Sequence, residues 1–287
     1  MRLETRAPAK INVCLFLGPT RADGRHELVS VMQSISLADR LTLEEDADAQ
    51  RDEVVCPGVD GDNLVTGAIA AFRAASGWSG GPVRIAVDKR IPVAGGMAGG
   101  SADAAAALRL LATAAALEAP DLLHGVATGL GADVPAQVRP GRVLATGAGE
   151  ELERVPGVAR YAVLVVPDPA PLSTADVFRE ADRLGLPRDG AALERALAEV
   201  RGALPDLPDA LCVNELEPAA LSLRPDLAGR LDAVRAAGAD VALVSGSGPT
   251  VLGLFRDGDA ARAAVDGFDG ALVARPVGPH AGEVLAA

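Results

Sequence analysis

The chain has 287 residues, 49% of them hydrophobic and 23% charged, a balance that fits one large globular domain or two of ordinary size. Its formal net charge of −12 excludes nucleic acid and anionic membrane surfaces as expected partners, because a broadly acidic surface repels both. Only 2% of residues are aromatic, so aliphatic side chains and alanine must fill the core, and three widely separated cysteines form neither a disulfide scaffold nor a zinc pattern.

In chain order, the segment "KINVCLFL" alternates, with Ile11, Val13, Leu15 and Leu17 on one face and Lys10, Asn12, Cys14 and Phe16 on the other, as in a strand. A loop with Asp23-Gly24 at its turn leads to "ELVSVMQSISL" and "DRLTLEE", which read as two further strands, and then to "DEVVC". Residues 63–76 have a helical pattern that stops at Gly77, and "PVRIAVDKRIP" reads as a strand. The next segment, "VAGGMAGGSAD", precedes an alanine-rich helix expected over residues 102–118, with a second helix over 121–130. The later chain reads as a buried strand in "YAVLVVPDP" and helices over 173–184, 191–201 and 226–237. A strand–glycine turn–strand in "ADVALVSGSGPTVLGLF", a short helix and a last strand in "GALVARPV" complete it. A soft boundary near Pro156-Gly157 divides the chain into units 1–156 and 157–287. The order of elements implies an α+β class with antiparallel sheets.

The start of the chain lacks a signal-peptide pattern. Its longest apolar run, residues 104–117, falls short of the ~20 residues a membrane span needs, so the expectation is a cytoplasmic protein.

Glycines before a helix allow tight bending and close approach to a ligand, and the first helical turn offers unpaired N–H groups and a positive dipole end. The segment is therefore suited to hold phosphate, although it matches neither the Walker A pattern nor G-x-G-x-x-G. A plain turn with Ser101 as helix cap is the alternative. Ser245-Gly246-Ser247-Gly248-Pro249-Thr250 is either a hairpin turn or a second wall of backbone donors. Asp133, before Val134-Pro135, is either a helix cap or a catalytic carboxylate in a stiff frame. Lys10 is either a solvated strand lysine or, given its apolar companions Cys14 and Phe16, a functional cation. His26 alone reads as a surface loop residue, and Asp103 as a residue favouring the helix dipole.

Together "PAKINVCLFL", "RADGRHEL", "DNLV", "DKRIPVAGGMAGGSADAA", "LGADVP", "NELEP" and "VSGSGPTV" resemble, in order and over the whole length, the GHMP family of small-molecule kinases. The resemblance implies a two-domain GHMP kinase fold, with an N-terminal domain like the second domain of ribosomal protein S5 and a ferredoxin-like C-terminal domain. It also implies ATP, with Mg²⁺, as phosphoryl donor. "PAKIN" followed by "RADG-x-H" is similar to those members whose alcohol is a cytidine diphosphate-linked methylerythritol, phosphorylated on its 2-hydroxyl in the non-mevalonate route to isoprenoid precursors.

Carried onto this chain, the family's catalytic residues are Lys10 and Asp133. Its nucleotide-binding residues are Pro92, Val93, Ala94, Gly95, Gly96, Met97, Ala98, Gly99, Gly100, Ser101 and Ala102, with Asn63 and Lys89 on the adenosine side. The substrate side takes Asn12, Arg25, His26, Thr174 and Phe178, and the hydroxyl of Ser101 is a candidate for the metal. Arg25 departs from the family pattern, which commonly has an aromatic residue there to stack on cytosine; a guanidinium plane can stack as well.

Strand geometry adds an expectation of its own. Lys10 to Leu17 spans seven steps, roughly 23 Å at ~3.3 Å each, and His26 follows across the turn. Lys10 and His26 then lie at opposite ends of a strand pair, which a long substrate can span and a small amino-alcohol cannot. Other readings stay open at this point: another kinase of the same group, a nucleotide-binding protein without catalysis, and an interaction protein with incidental glycine turns.

Overall fold

The structure, a computed structural model, describes residues 1–46, 49–59, 63–157 and 159–287. Strands β1 (Arg2–Thr20) and β2 (His26–Glu45) form a long antiparallel pair, in register from Arg2↔Glu44 to Thr20↔His26. The two strands read from "ELVSVMQSISL" and "DRLTLEE" are thus one, and β1 begins well before Lys10. The register shifts between Pro8 and Lys10 and between Asn12 and Cys14, and such bulges let a strand continue past a proline that cannot donate to the ladder. Residues 7–18 are buried on both faces, so the face of Lys10, Asn12, Cys14 and Phe16 is not solvated.

Next come β3 (Glu53–Val55), α1 (Leu64–Ser76), β4 (Val83–Asp88), α2 (Gly99–Ala114), α3 (Pro120–Leu130), α4 (Val134–Val138), β5 (Arg142–Thr146) and β6 (Glu151–Arg154). The chain continues through β7 (Ala162–Val166), α5 (Thr174–Leu184), α6 (Gly190–Ala203), α7 (Glu217–Leu223) and α8 (Asp226–Ala236). It closes with β8 (Val241–Val244), β9 (Val251–Phe255), α9 (Gly258–Ala264), β10 (Leu272–Ala274) and β11 (Leu285–Ala286). One sheet has the order β11-β1-β2-β4-β3, with β5 joined to β2 and β6 to β5; the other runs β10-β7-β9-β8. Apart from the parallel pair β3–β4, every pairing between these strands is antiparallel, as the α+β reading expects. The chain does not end at β10: β11 returns to pair with β1. Strands β5 and β6 and helices α4 and α7 lack the long periodic runs that reveal the other elements.

Helix α2 packs against β1 and has alanines at 102, 104, 105, 106 and 107, all buried. Small side chains let the helix lie close to the sheet. It starts at Gly99, not Ala102, and ends at Ala114, not near Glu118. Ser101 therefore lies inside the first turn and is not its cap; the residue before the helix is Ala98, in a left-handed conformation (φ 53°), and no side chain caps the end. The first-turn N–H groups are left for another acceptor.

Candidate active site

The glycine segment is anchored at its root. Asp39, with no exposed surface, accepts hydrogen bonds from the backbone N–H of Arg90 (2.5 Å) and of Ile91 (2.8 Å) through Oδ1. Its Oδ2 is 2.5 Å from Lys89 Nζ, which also donates to Asp103 Oδ2 at 2.7 Å. The dipole role expected for Asp103 is therefore corrected: the side chain is 3% exposed and part of this ion cluster. Burial raises its pKa to about 7 against the pull of the Lys89 charge, and the neighbouring Asp39 carboxylate adds to the rise.

Beyond this anchor the backbone takes left-handed turns at Ala94, Gly96 and Ala98. Gly96 is required by space as well as by its φ of 72°: a Cβ there would sit 2.1 Å from the carbonyl oxygen of Ser245. Ser245 Oγ in turn donates to the Gly96 carbonyl at 3.1 Å. The segment Ser245–Thr250 is thus both the connection between β8 and β9 and a support for the first glycine segment. Ser245 and Thr250 are buried, while Gly248 reaches the cavity wall. Asn214 holds this support by donating to the carbonyls of Val244 (2.8 Å) and Gly246 (2.7 Å), and Glu217 accepts from the Val244 N–H.

The glycine segment forms one wall of a cavity of about 570 Å³. Asn63, Lys89, Ser101, Asp103, Asp133 and Thr174 also line it. Asn63 has a second task, capping α1 through a 2.9 Å bond from Val65 N–H. Thr174 Oγ1 lies 2.9 Å from Ser247 Oγ. Lys10 is tied to the segment by its backbone N–H, which donates to Met97 O at 3.2 Å. Its side chain is buried, with Nζ 3.3 Å from Asp133 Oδ1 and 2.8 Å from Asn12 Oδ1. Asn12 donates onward to Ser30 Oγ, and Ser30 to Cys14 O. Asp133 precedes α4 but its carboxylate caps nothing; it faces Lys10 and keeps 34% of its side chain exposed. A lysine beside a partly open carboxylate, next to free helix N–H groups, is a geometry for deprotonating a hydroxyl and holding phosphate.

The remaining candidates lie at the other end of the strand pair. Lys10 pairs with Ser34 and Thr20 with His26, so Lys10 and His26 are separated along the strands as expected. His26 is not a surface loop residue: it is 6% exposed, its Nε2 is 2.7 Å from Asp182 Oδ1 and 3.2 Å from Thr20 Oγ1, and Phe178 lies at 5.4 Å between ring centroids. Arg25 is exposed and its guanidinium is laid against Asp23, with Nε at 3.0 Å and Nη2 at 2.9 Å from Oδ2.

Comparison with known proteins gives this geometry a family. Residues 63–141 match the GHMP kinases N terminal domain, and residues 191–273 the GHMP kinases C terminal domain. A 4-diphosphocytidyl-2-C-methyl-D-erythritol kinase of Corynebacterium efficiens is 41% identical, over 93% of this chain and 89% of its own length. One of Streptomyces coelicolor is 42% identical, over 93% and 91%. The chain belongs to the 4-diphosphocytidyl-2-C-methyl-D-erythritol kinase family of GHMP kinases. A crystal structure of 4-(cytidine 5'-diphospho)-2C-methyl-D-erythritol kinase superposes with a TM-score of 0.77 at 33% identity, covering 96% of this chain and 99% of the other. A homoserine kinase from Cytophaga hutchinsonii shares the fold at a TM-score of 0.75 and 19% identity.

Asp39, Asn214 and Asp182 were not legible as site residues in the sequence. Asp39 is one acid within a strand, Asn214 one amide in "NELEP", and Asp182 one charge on a polar helix face. The signal that could have singled out Asp39 is its place at the head of the expected strand "DRLTLEE", next to the apolar Leu37 and Leu41, where an unpaired buried carboxylate is costly.

Proposed function

We infer that the chain carries out its family's reaction, the ATP-dependent phosphorylation of the 2-hydroxyl of 4-diphosphocytidyl-2-C-methyl-D-erythritol, a step in isoprenoid precursor synthesis. The observation that carries this reading is Asp133 opposite Lys10, on the wall of the cavity that the glycine segment bounds.

In the proposed mechanism Asp133 accepts the proton of the attacking hydroxyl, and Lys10 orients that hydroxyl and offsets the negative charge gathering around it. Phosphoryl transfer proceeds through a loose transition state, so positioning and charge stabilisation are the protein's main contributions. Of the backbone N–H groups of residues 95–101, that of Gly95 is engaged by Pro92 O at 3.3 Å; the others, among them those left without a side-chain cap at the start of α2, hold the β- and γ-phosphates. Asn63 and Lys89 face the adenosine, with Lys89 held in place by Asp39 and Asp103.

Among the described residues no group of three or more His, Cys, Asp or Glu is arranged to hold a metal ion. The Ser101 hydroxyl, on the cavity wall, is the protein group that would hold the Mg²⁺ implied by the family. The ion would neutralise phosphate charge.

At the far end, His26 and Phe178 take the cytosine; Thr174, on the cavity wall, is assigned to the substrate, and Asn12 acts on the substrate side by holding Lys10 Nζ. With Arg25 engaged by Asp23, Phe178 is the aromatic surface left for stacking. The two units are read as 1–156 and 157–287, supported by the placement of β1–β6 in one sheet and β7–β10 in the other, with β11 crossing back from the second unit to the edge of the first sheet. Among the described residues no helix is long and apolar enough to cross a membrane, and we assign the protein to the cytoplasm.

The test is a panel of alcohols with ATP: the cytidine diphosphate-linked methylerythritol, homoserine and mevalonate. Turnover of the first alone is expected, because it carries an alcohol at one end and a base at the other, and Lys10 and His26 lie at opposite ends of the strand pair. Preferential turnover of homoserine or mevalonate would overturn the reading.

A further inference from the structure

The second sheet supports the glycine segment at one end, through the Ser245–Thr250 turn, and gathers arginines at the other. Antiparallel register brings three separate stretches of chain together there: Ala162 pairs with Phe255, and Val163 with Ala274. Arg160 and Tyr161 lie just before β7, Arg256 just after β9 and Arg275 just after β10, so all four meet at the same end of the sheet. Helix α9, packed on β7 and β9, adds Arg262.

These residues bound a cleft of two adjoining parts. The outer cavity, about 530 Å³, is lined by Arg160, Arg256, Arg262 and Arg275, and by no acidic residue among the described ones. The inner cavity, about 370 Å³, shares Arg160, Tyr161 and Arg256 with it and reaches the buried Arg142. Neither part shares a lining residue with the catalytic cavity.

The arginines differ in what already occupies them. Arg256 is held by Asp240 at 2.6 Å and Asp209 at 2.5 Å, and Arg262 by Asp259. Arg142 donates to Gln33 Oε1 at 3.2 Å and to the Pro205 carbonyl. Arg160 and Arg275 have neither an ion pair nor a side-chain hydrogen bond among the described residues. Free guanidinium groups facing one concavity repel each other, and a concave wall focuses their field on an incoming anion. In a chain of net charge −12 this is a local reversal of sign. A guanidinium fork matches phosphoryl oxygens two at a time, so two free forks on one cavity suit two linked phosphoryl groups.

We propose that this cleft, remote from the glycine turn, is a second ligand site that takes a diphosphate group, with Arg160 and Arg275 as the residues that pair with it. The same chemistry is offered by free pyrophosphate, by ADP and by cytidine diphosphate compounds.

The test is calorimetric titration of inorganic pyrophosphate into the full chain saturated with a non-hydrolysable ATP analogue. Wild type is expected to bind one equivalent. Arg160→Ala/Arg275→Ala should weaken that binding by about tenfold or more. Both side chains are exposed and unpaired, so its melting temperature should match wild type. Arg195→Ala/Arg201→Ala removes the same charge from α6, outside the cleft, and should change the affinity by less than about twofold. ADP and CDP added as competitors separate the sources: the one that displaces pyrophosphate at lower concentration identifies the diphosphate the cleft takes, and displacement by neither leaves pyrophosphate itself. Absence of pyrophosphate binding by wild type overturns the proposal. So does binding that Arg160→Ala/Arg275→Ala retains, or an equal loss in both double variants. None of these outcomes bears on the assigned reaction.

Discussion

Two lysine–carboxylate groupings lie against the same cavity and differ in what surrounds them. At Lys10–Asp133 the ions are 3.3 Å apart and the carboxylate is a third exposed, with no backbone donor engaged by its oxygens among the described residues. At Lys89, two buried carboxylates close on one ammonium at 2.5 and 2.7 Å, and Asp39 also takes two backbone N–H groups. The first has a free oxygen and room for a hydroxyl. The second has spent its bonds on holding the root of the glycine segment. Charge type alone does not separate chemistry from scaffolding; unused hydrogen-bonding capacity at an open wall does.

That contrast can be broken most severely at Asp133. Asp133→Asn should lower kcat by ~10⁴-fold, about 5 kcal/mol, with ATP affinity and melting temperature nearly unchanged. Near-normal turnover in that variant would make Asp133 a scaffold residue like its counterparts at Lys89. Asp39→Ala should do the reverse, costing about 3–5 kcal/mol of stability by leaving two buried backbone donors unpaired and Lys89 with Asp103 alone, as read by denaturant titration. A loss of turnover without a shift in the unfolding midpoint would refute its anchoring role. Lys10→Ala should reduce kcat by ~10²-fold with a smaller effect on substrate affinity; a change confined to KM would remove Lys10 from the reacting hydroxyl.

The smallest effect belongs to Asp103, and it depends on pH. Its pKa is about 7 in the folded chain, raised chiefly by burial, against ~3.9 for an unperturbed aspartate. The folded state thus binds this proton more tightly than the unfolded chain. The stabilisation is complete below about pH 4 and is lost as pH rises through about 7, with a slope of up to about 1.4 kcal/mol per pH unit. Subtracting the stability profile of Asp103→Asn from that of wild type should isolate this decline. A flat difference between pH 4 and 7 would mean that Lys89 fully compensates the buried charge.

Much of the fold was legible because it rests on short-range rules. Helix α1 stops at Gly77 in a left-handed conformation, and α5, α6 and α8 lie within a few residues of their expected bounds. The merging of two expected strands into β2 was not legible, because continuity past Ser36 depends on pairing with β1 and β4. The same holds for β11, two residues whose identity as a strand comes only from β1. In the site, the glycine segment, Lys10 and Asp133 stood out by type and spacing. The Ser245–Thr250 turn left two readings open, and its support of Gly96 lies in contacts 149 residues apart.

By itself the sequence determined which backbone could bend at residues 93–101, which helices would form and which family's motifs the chain carries, since these depend on neighbours along the chain. Only the tertiary structure decided that Asp103 is buried against Lys89 while Asp133 stays open, and that His26 is held by an acid 156 residues away. Burial and hydrogen-bond partners are set by segments distant in the chain, and these determine whether a charged side chain stays free to react or is committed to holding the structure.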